Sequence, residues 1–454
     1  VLADPSLDGW DGLGLAVQAY QKRACGVVDW AVAAARRFGR PLVVRLVKGA
    51  YWDTEIKRAQ ERGHSSYPVF TTKAATDLSY LVCAQRLLAA PGAIRPAFAS
   101  HNAATVAAIA ELAAGHRDWE FQRLHGMGKP LHDAMLAGYR CRVYAPVGPT
   151  RELLPYLVRR LLENGANTSF IHALADQGVA AEDLVNDRID ETPLAPPPQV
   201  FLPHWRLATG PDLSDGETLT ILHQQVGRFH LHIGTSAELS VFAAVNRAVD
   251  GFADWDDRPA EQRAALLERA ADLLEAEPQP FLFLAIAEAG KTWPDAIGEL
   301  REAVDFLRYY AAAARRLFSC PQPLPAVSGE SNRLALRGRG VFACVAPWNF
   351  PLSIFLGQAA AALAAGNSVV AKAAPQTPRM AALAIDLLHR AGVPENVVVL
   401  LPGGARTGAE LVAHPAIAGV AFTGSHATAR AIAAILAAKP GPLVPLIAES
   451  GGIN

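Results

Sequence analysis

Between residue 13 and about residue 170, short apolar runs alternate with segments whose apolar residues recur at helical spacing. The runs "LAVQAY", "PLVVRLVK", "PAFAS", "WEFQRL" and "CRVYAP" predict strands, and the stretches near 24–38, 67–90, 103–115, 130–138 and 151–164 predict helices. Strands alternating with helices point to parallel βα units, because a parallel neighbour is reached only through a crossover. Five such units are expected to be the C-terminal part of a (β/α)₈ barrel, a fold that works at the C-terminal ends of its strands. The pattern then lapses. "ETPLAPPPQVFLP" is proline-rich and aperiodic, which predicts a linker, and "HQQVGRFHLHIG" reads as a strand pair. Long helices are predicted at 258–276 and 295–316. The strands "GVFACVAP", "NSVVAKA", "NVVVLLP", "GVAFTG" and "PLIAES" follow with helices between them, a doubly wound nucleotide-binding pattern.

Composition supports this reading. Hydrophobic residues make up 51% and charged residues 19%, which suits well-buried α/β domains and excludes bulk disorder. A net charge of −1 gives no electrostatic case for nucleic acid or an anionic membrane surface. No apolar run reaches the ~18 residues of a spanning helix, and no basic leader precedes an apolar core. The cysteines Cys25, Cys83, Cys141, Cys320 and Cys344 form no C-x-x-C pair and read as reduced thiols of a cytoplasmic protein, with peripheral docking at the inner membrane face left open. A first residue other than Met and an abrupt end after Glu449 lead us to expect a fragment of a longer chain.

Polar residues gather at the ends of the early strands. Arg45 stands inside "PLVVRLVK", where burial on both faces would make a lone guanidinium costly, so it is expected to meet an anion or an electron-rich ligand, with an internal salt bridge as the alternative. Lys48 and Tyr51 follow it, and Gln18 offers a donor and an acceptor in "LAVQAY". "FASHNA" brings His101 and Asn102, "EFQRLHGMG" brings Gln122, Arg123 and His125, and "VYAPVG" brings Tyr144. One such residue is usually a satisfied core group, but several at the same end of successive strands mark a site. In "ELLPYLVRRLLENGANTSF", Arg159 and Arg160 follow Tyr156 by three and four residues and share its face, with Glu163 a turn further. Paired guanidiniums suit a carboxylate; a solvated ion-paired face with Glu163 is the alternative.

The later half carries fewer but similar signals. Asn349 in "VAPWNFP", beside Trp348, follows a strand between two prolines, where a rigid amide could stabilise an oxyanion or simply make a turn. Lys372 ends a strand where a ribose or phosphate lies in a doubly wound sheet. "VAFTGSHATAR" runs from strand through Gly424 and Ser425 into a helix, an anion site at a helix N-terminus. "LPGGARTG" is not a G-x-G-x-x-G fingerprint. His223, His230 and His232 hint at a metal, but no cysteine or carboxylate joins them and no metal is expected.

Taken together, "RLVKGAYWD", "FASHN", "QRLHGMG" and "LLPYLVRRLLENGANTSF" resemble the proline dehydrogenase domain of the bifunctional proline utilization A flavoenzymes, over most of 1–172. The resemblance implies a (β/α)₈ barrel that binds FAD noncovalently and oxidises L-proline to pyrroline-5-carboxylate, with a quinone as electron acceptor. It implies Arg45 near the flavin N5, Gln18 on the pyrimidine side, and Lys48, His101, Asn102, Gln122, Glu163 and Phe170 around the FAD. Tyr51, Tyr144, Tyr156, Arg159 and Arg160 would bind proline, the arginines taking its carboxylate. The family's earlier strands, with an aspartate and a lysine of the site, would precede Val1.

"PWNFP", "FTGS" and "ESGG", with "EAGKT" and "EAVDFLRYYA", resemble the aldehyde dehydrogenase superfamily over roughly 250–454, and in particular the glutamate-semialdehyde dehydrogenase half of the same flavoenzymes. That implies NAD-dependent oxidation of glutamate semialdehyde to glutamate. Asn349 would serve in the oxyanion hole, Trp348 beside the cofactor, Lys372 on the adenosine ribose, Gly424 and Ser425 on the pyrophosphate, and Glu449 as general base. Pro375 stands where the family has a ribose-binding glutamate, which leaves NAD against NADP open. The family's nucleophilic cysteine follows its glutamate by a few dozen residues and none of the five cysteines replaces it, so the second activity is expected to be absent from the chain as given. The expected domains are a partial barrel at 1–172, a connecting and oligomerisation region at 173–232, and a partial NAD-binding domain at 233–454. A homo-oligomer is expected. The alternatives are a non-catalytic truncated fragment and an unrelated barrel fused to an aldehyde dehydrogenase.

Overall fold

The structure, a computed structural model, describes residues 1–116, 118–135, 138–165, 194–228 and 239–451. The chain divides into two compact units, one of Val1–Glu61 with Ser66–Ala195 and one of Arg62–Ser65 with Pro196–Asn454. In the first, β1 (Gly14–Gln18), β2 (Leu42–Val47), β3 (Ile94–Ala99), β4 (Glu120–Leu124) and β5 (Cys141–Tyr144) form one parallel sheet in sequence order. Helices α1 (Ala24–Phe38), α2 (Trp52–Arg62), α3 (Lys73–Leu88), α4 (Ala103–Leu112), α5 (Lys129–Met135) and α6 (Thr150–Gly165) alternate with the strands. This is the βα succession of a barrel-type domain.

The apolar run around Arg45 predicts burial on both faces, and the structure corrects that. Leu42, Val44 and Leu46 are buried, whereas Val43, Arg45 and Val47 are half-buried. A strand's side chains alternate, so one set packs with Val28, Ala31, Tyr80 and Leu87 of the helices while the other faces away from them. Arg45 therefore lies on the face turned away from these helices. Helix α2 was not predicted, because only Ile56 and Ala59 of "WDTEIKRAQER" are buried, too few to set an apolar period. Helix α3 starts at Lys73 rather than near 67, since Val69 makes an antiparallel bridge with Gln21 and Thr72 is extended. α1 stops at Gly39, whose positive φ of 62° lets its N–H turn back to the carbonyls of Ala35 and Arg36.

In the second unit α7 (Gly216–Gly227), α8 (Val241–Asp257), α9 (Ala260–Ala276), α10 (Gln279–Ala287) and α11 (Trp293–Phe318) precede a small hairpin, β6 (Gln322–Leu324) with β7 (Asn332–Leu334). A doubly wound stretch follows: β8 (Val341–Val345), α12 (Ser353–Ala364), β9 (Ser368–Lys372), α13 (Pro378–Ala391), β10 (Val398–Leu400), α14 (Ala405–Ala413), β11 (Ile417–Gly424), α15 (His426–Ala438) and β12 (Leu446–Ser450). The strand order is β10-β9-β8-β11-β12, all parallel. The chain builds outward from β8 through β10, then returns to the other side of β8. The switch point therefore lies between β8 and β11.

The strand pair read into "HQQVGRFHLHIG" is overturned where it is described. Residues 223–227 belong to α7, which starts where Asp215 accepts the N–H groups of Glu217 and Thr218, and His223 packs its ring 4.8 Å from Trp293. His230 and His232 lie outside the described residues. Helix α8 and the hairpin went unpredicted, and Pro259 separates α8 from α9 because it supplies no N–H to continue a helix. The proline-rich linker is partly packed, with Pro197 and Pro198 buried. The core centres on α11, whose Ala303, Val304, Leu307 and Ala311 are buried with Leu267, Phe355 and Leu356. No helix among the described residues is long and apolar enough to cross a membrane.

Candidate active sites

The parallel register brings the predicted residues of the first unit to one edge. Gln18 pairs with Val47, Leu46 with Phe98, Ala99 with Gln122 and Leu124 with Tyr144, so Gln18, Lys48, His101 and Tyr144 stand at strand C-terminal ends, with Gln122 in the middle of β4 level with the end of β3. The Arg45 guanidinium reaches over β3 and β4 to lie 4.2 Å from the Tyr144 ring centroid. Among the described residues, Arg45 Nε and His101 Nε2 are buried without a hydrogen-bond partner. Such orphaned donors fit a bound ligand that accepts from them.

Other side chains are partly committed. Gln18 Oε1 accepts the Ala50 N–H at 3.1 Å, which leaves its amide N–H₂ as the free end. Asn102 Oδ1 accepts from Thr105 N at 2.9 Å and caps α4. Gln122 donates to Glu120 at 2.8 Å. Lys48 is ion-paired with Asp77, which also takes Lys73 at 2.8 Å; burial would raise the Asp77 carboxyl, yet the two ammonium groups hold it below the ordinary range. Tyr51 and His125 are exposed, and Arg123 points at the Met127 carbonyl at 3.4 Å. Tyr156 lies on α6, while the side chains of Arg159, Arg160 and Glu163, and Phe170 as a whole, lie outside the described residues.

His132 and Asp77 are not marked by any motif, and Gly128 is visible in the sequence only as the last residue of "QRLHGMG". The His132 ring stands 6.2 Å from His101, edge to face, with Nε2 3.0 Å from the Ser100 carbonyl. Gly128, at φ 60°, would place a Cβ 2.7 Å from the His101 ring, so only glycine fits. Burial first, then the neighbouring His132 and the guanidiniums of Arg123 and Arg45, push the His101 pKa down to about 4. The fold favours the neutral ring. Its contribution to stability is whole above the ordinary value of 6.5 and falls as pH drops from there towards about 4. The loss in urea midpoint between about pH 7 and about pH 5 is expected to shrink in His101→Gln; an unchanged loss would refute the assignment.

In the second unit four strand ends meet at the switch point. Register pairs Lys372 with Val345, Val345 with Phe422, and Thr423 with Glu449. Lys372 is buried at 6% exposure, and burial lowers its pKa; among the described residues it has no carboxylate partner. Trp348 and Asn349 are exposed in the loop after β8. Ser425 caps α15, its Oγ accepting from Thr428 N at 3.2 Å, so the N–H groups of that first turn rather than the hydroxyl remain for an anion. Glu449 is exposed and lines an apolar cavity of about 270 Å³ with Tyr310, Gln358 and Thr423. No cysteine lines it; Cys344 is buried inside β8, its thiol pushed up to about 12.

Comparison with known proteins agrees with this division. The proline dehydrogenase family matches residues 1–173 and the aldehyde dehydrogenase family matches residues 214–454. The bifunctional protein PutA of Escherichia coli is 43% identical over 99% of this chain and 38% of its own length. The PutA protein of Rhizobium meliloti is 42% identical over 99% of this chain and 40% of its own. A crystal structure of a bifunctional proline utilization A protein matches with a TM-score of 0.94 at 53% identity, covering 100% of this chain and 48% of that one. The chain belongs to the aldehyde dehydrogenase family, and over nearly all of its length it is similar to these proline utilization A proteins. It spans roughly two-fifths of the length of these curated PutA relatives, at 38% and 40%. The two matched families imply a flavin and NAD in general terms.

Proposed function

We infer that the chain carries parts of the two sites of a proline-to-glutamate enzyme. The first oxidises L-proline to pyrroline-5-carboxylate with FAD, and the second oxidises glutamate semialdehyde to glutamate with NAD. The observation that carries the reading is a pair of cations without carboxylate partners among the described residues, half-buried Arg45 with its Nε out of solvent and buried Lys372, each at the ligand face of its own parallel sheet. A buried cation with no anion to meet is costly, and both positions suit an electron-rich cofactor.

FAD and NAD supply the hydride acceptors of the two oxidations. In the first unit Arg45 would donate to the flavin edge, Gln18 would offer its free amide N–H₂, and neutral His101 would donate or accept without adding charge. Lys48, Asn102, Gln122, Glu163 and Phe170 complete the proposed FAD set. Tyr51, Tyr144, Tyr156, Arg159 and Arg160 would bind proline, with the paired arginines on its carboxylate. In the second unit Lys372 would meet the adenosine ribose, Gly424 and the α15 N-terminus the pyrophosphate, and Trp348 the nearby cofactor surface. Asn349 would stabilise the oxyanion and Glu449 would act as base. Thiohemiacetal formation also needs a thiolate, and none of the five cysteines lines the cavity beside Glu449. A quinone as acceptor of the flavin electrons and a homo-oligomeric assembly belong to the same proposal.

The test is a flavin spectrum. The purified chain is mixed with FAD, dialysed and read with and without L-proline. Retained flavin that bleaches with proline supports the first half of the reading; flavin that is retained but indifferent to proline refutes the substrate.

A further inference from the structure

The loop that carries Asn349 has little means of holding its own shape. Two of the five residues in "PWNFP", Pro347 and Pro351, have no N–H, and helix α12 begins after Leu352 with no capping bond from that residue's side chain. The missing cap comes from another helix. Glu299 of α11, 1% exposed, accepts the N–H of Leu352 at 2.8 Å and of Ser353 at 3.3 Å through Oε1. Its Oε2 lies 3.0 Å from the Lys291 ammonium, and Lys291 in turn sits 4.2 Å from the centroid of the Phe350 ring. One buried ion pair thus grips the chain directly after Asn349 and again where the helix starts.

A buried pair of this kind contributes little net stability, because desolvation offsets the attraction. What it does fix is geometry, since a carboxylate held by an ammonium cannot rotate away from the two N–H groups. The same unit contains a comparison. Glu288 accepts the N–H groups of Arg379 at 3.1 Å and Met380 at 2.9 Å, capping α13 where Thr377 makes no side-chain cap, and so supports the loop after Lys372 instead. Glu288 and Lys291 both lie in the short stretch "EAGKT", so that turn and Glu299 together support the βα loops that follow β8 and β9.

We propose that Glu299, held by Lys291, is the positioning residue for Asn349, fixing the amide that the oxyanion reading above requires. The proposal rests on that reading for its purpose but not for its geometry. Nitrogen-labelled asparagine in the 454-residue chain reads the Asn349 side-chain amide directly, with its signals assigned through Asn349→Asp. Glu299→Ala is expected to shift or broaden the Asn349 amide signals and to speed hydrogen exchange at Leu352 and Ser353 roughly tenfold or more. Glu299→Gln is expected to restore both, because its amide oxygen still accepts the two N–H bonds. Glu288→Ala, a cap lost elsewhere in the same unit, is expected to leave the Asn349 signals in place.

Unmoved Asn349 signals in a folded Glu299→Ala chain overturn the proposal, as does an equal disturbance from Glu288→Ala. Where Glu299→Ala does not fold, Lys291→Met gives the same reading through Phe350: displaced Asn349 signals support the proposal and unmoved ones overturn it. The oxyanion reading fails separately. If glutamate semialdehyde with NAD, bound noncovalently because no cysteine lines the cavity, leaves the wild-type Asn349 signals unmoved while Glu299→Ala displaces them, the positioning holds and the contact of Asn349 with the aldehyde oxygen falls.

Discussion

Replacing Arg45 with methionine is expected to weaken FAD retention by roughly 10- to 100-fold, the loss of a charge-assisted hydrogen bond at a buried site. Methionine keeps much of the volume but offers neither the orphaned Nε nor a cation over the Tyr144 ring. Arg45→Lys is expected to rescue little, because an ammonium has no planar fork to lie on that ring and aim a second donor away from it. The fold itself is expected to tolerate both changes. Arg45 faces away from the helix-packed side of β2, where Leu42, Val44 and Leu46 carry the core. Equilibrium dialysis with FAD, alongside a urea unfolding curve, separates the two effects. A methionine variant that holds flavin as tightly as the parent chain would remove Arg45 from the site.

Lys372→Met is expected to move stability and binding in opposite directions. The ammonium is buried at the end of β9, its stem passing 3.7 Å from the Cβ position of Gly408, and burial lowers its pKa from the ordinary 10.5. Because the fold disfavours the charged form, Lys372 opposes folding below its folded pKa, and that opposition fades as pH rises towards 10.5. Removing the charge is therefore expected to stabilise the ligand-free chain by about 1–3 kcal/mol near neutral pH. The same change is expected to weaken NAD binding about tenfold, the loss of one charge-assisted hydrogen bond. Thermal unfolding with and without NAD reads both: a higher midpoint alone and a smaller rise with dinucleotide. A variant that loses stability would mean that Lys372 has an anionic partner in the fold, and the ribose role would go with it.

Much of the fold was legible because its signals are local. The runs around Leu42–Val47 and Val341–Val345 are apolar, short and bounded by turn residues, so their strand character needed no partner to be visible. The same is true of α11, whose buried positions recur at helical spacing from Ala296 to Ala314. What failed was weakly patterned or misleadingly patterned. Helix α2 buries two residues and is otherwise polar. The segment at 223–227 has one large apolar residue, Val226, and no visible helical period, yet Asp215 upstream caps a helix that runs through it.

The site divides along the same line. Residue identity and order along the chain named Arg45, His101, Tyr144, Asn349, Lys372 and Glu449, since a charged or amide side chain at the end of an apolar strand is visible in one dimension. Sequence could not say which of their atoms are free. Asn102 has its oxygen taken by Thr105, Gln18 by Ala50, and Lys48 by Asp77, and each partner was fixed only when helix or strand neighbours came into register. Nor could it show that Arg45 and Tyr144, on β2 and β5, face one another, or that Glu299 on α11 caps a helix starting 54 residues later. The amino-acid sequence by itself determined the βα order, the strand-end chemistry and the family resemblance, because periodicity and side-chain type act over one element at a time. Only the tertiary structure decided which face of β2 packs on the helices, which donors are left without partners among the described residues and which carboxylates hold the loops. Those are properties of packing between elements far apart in the chain, where burial turns an ordinary side chain into a constrained one.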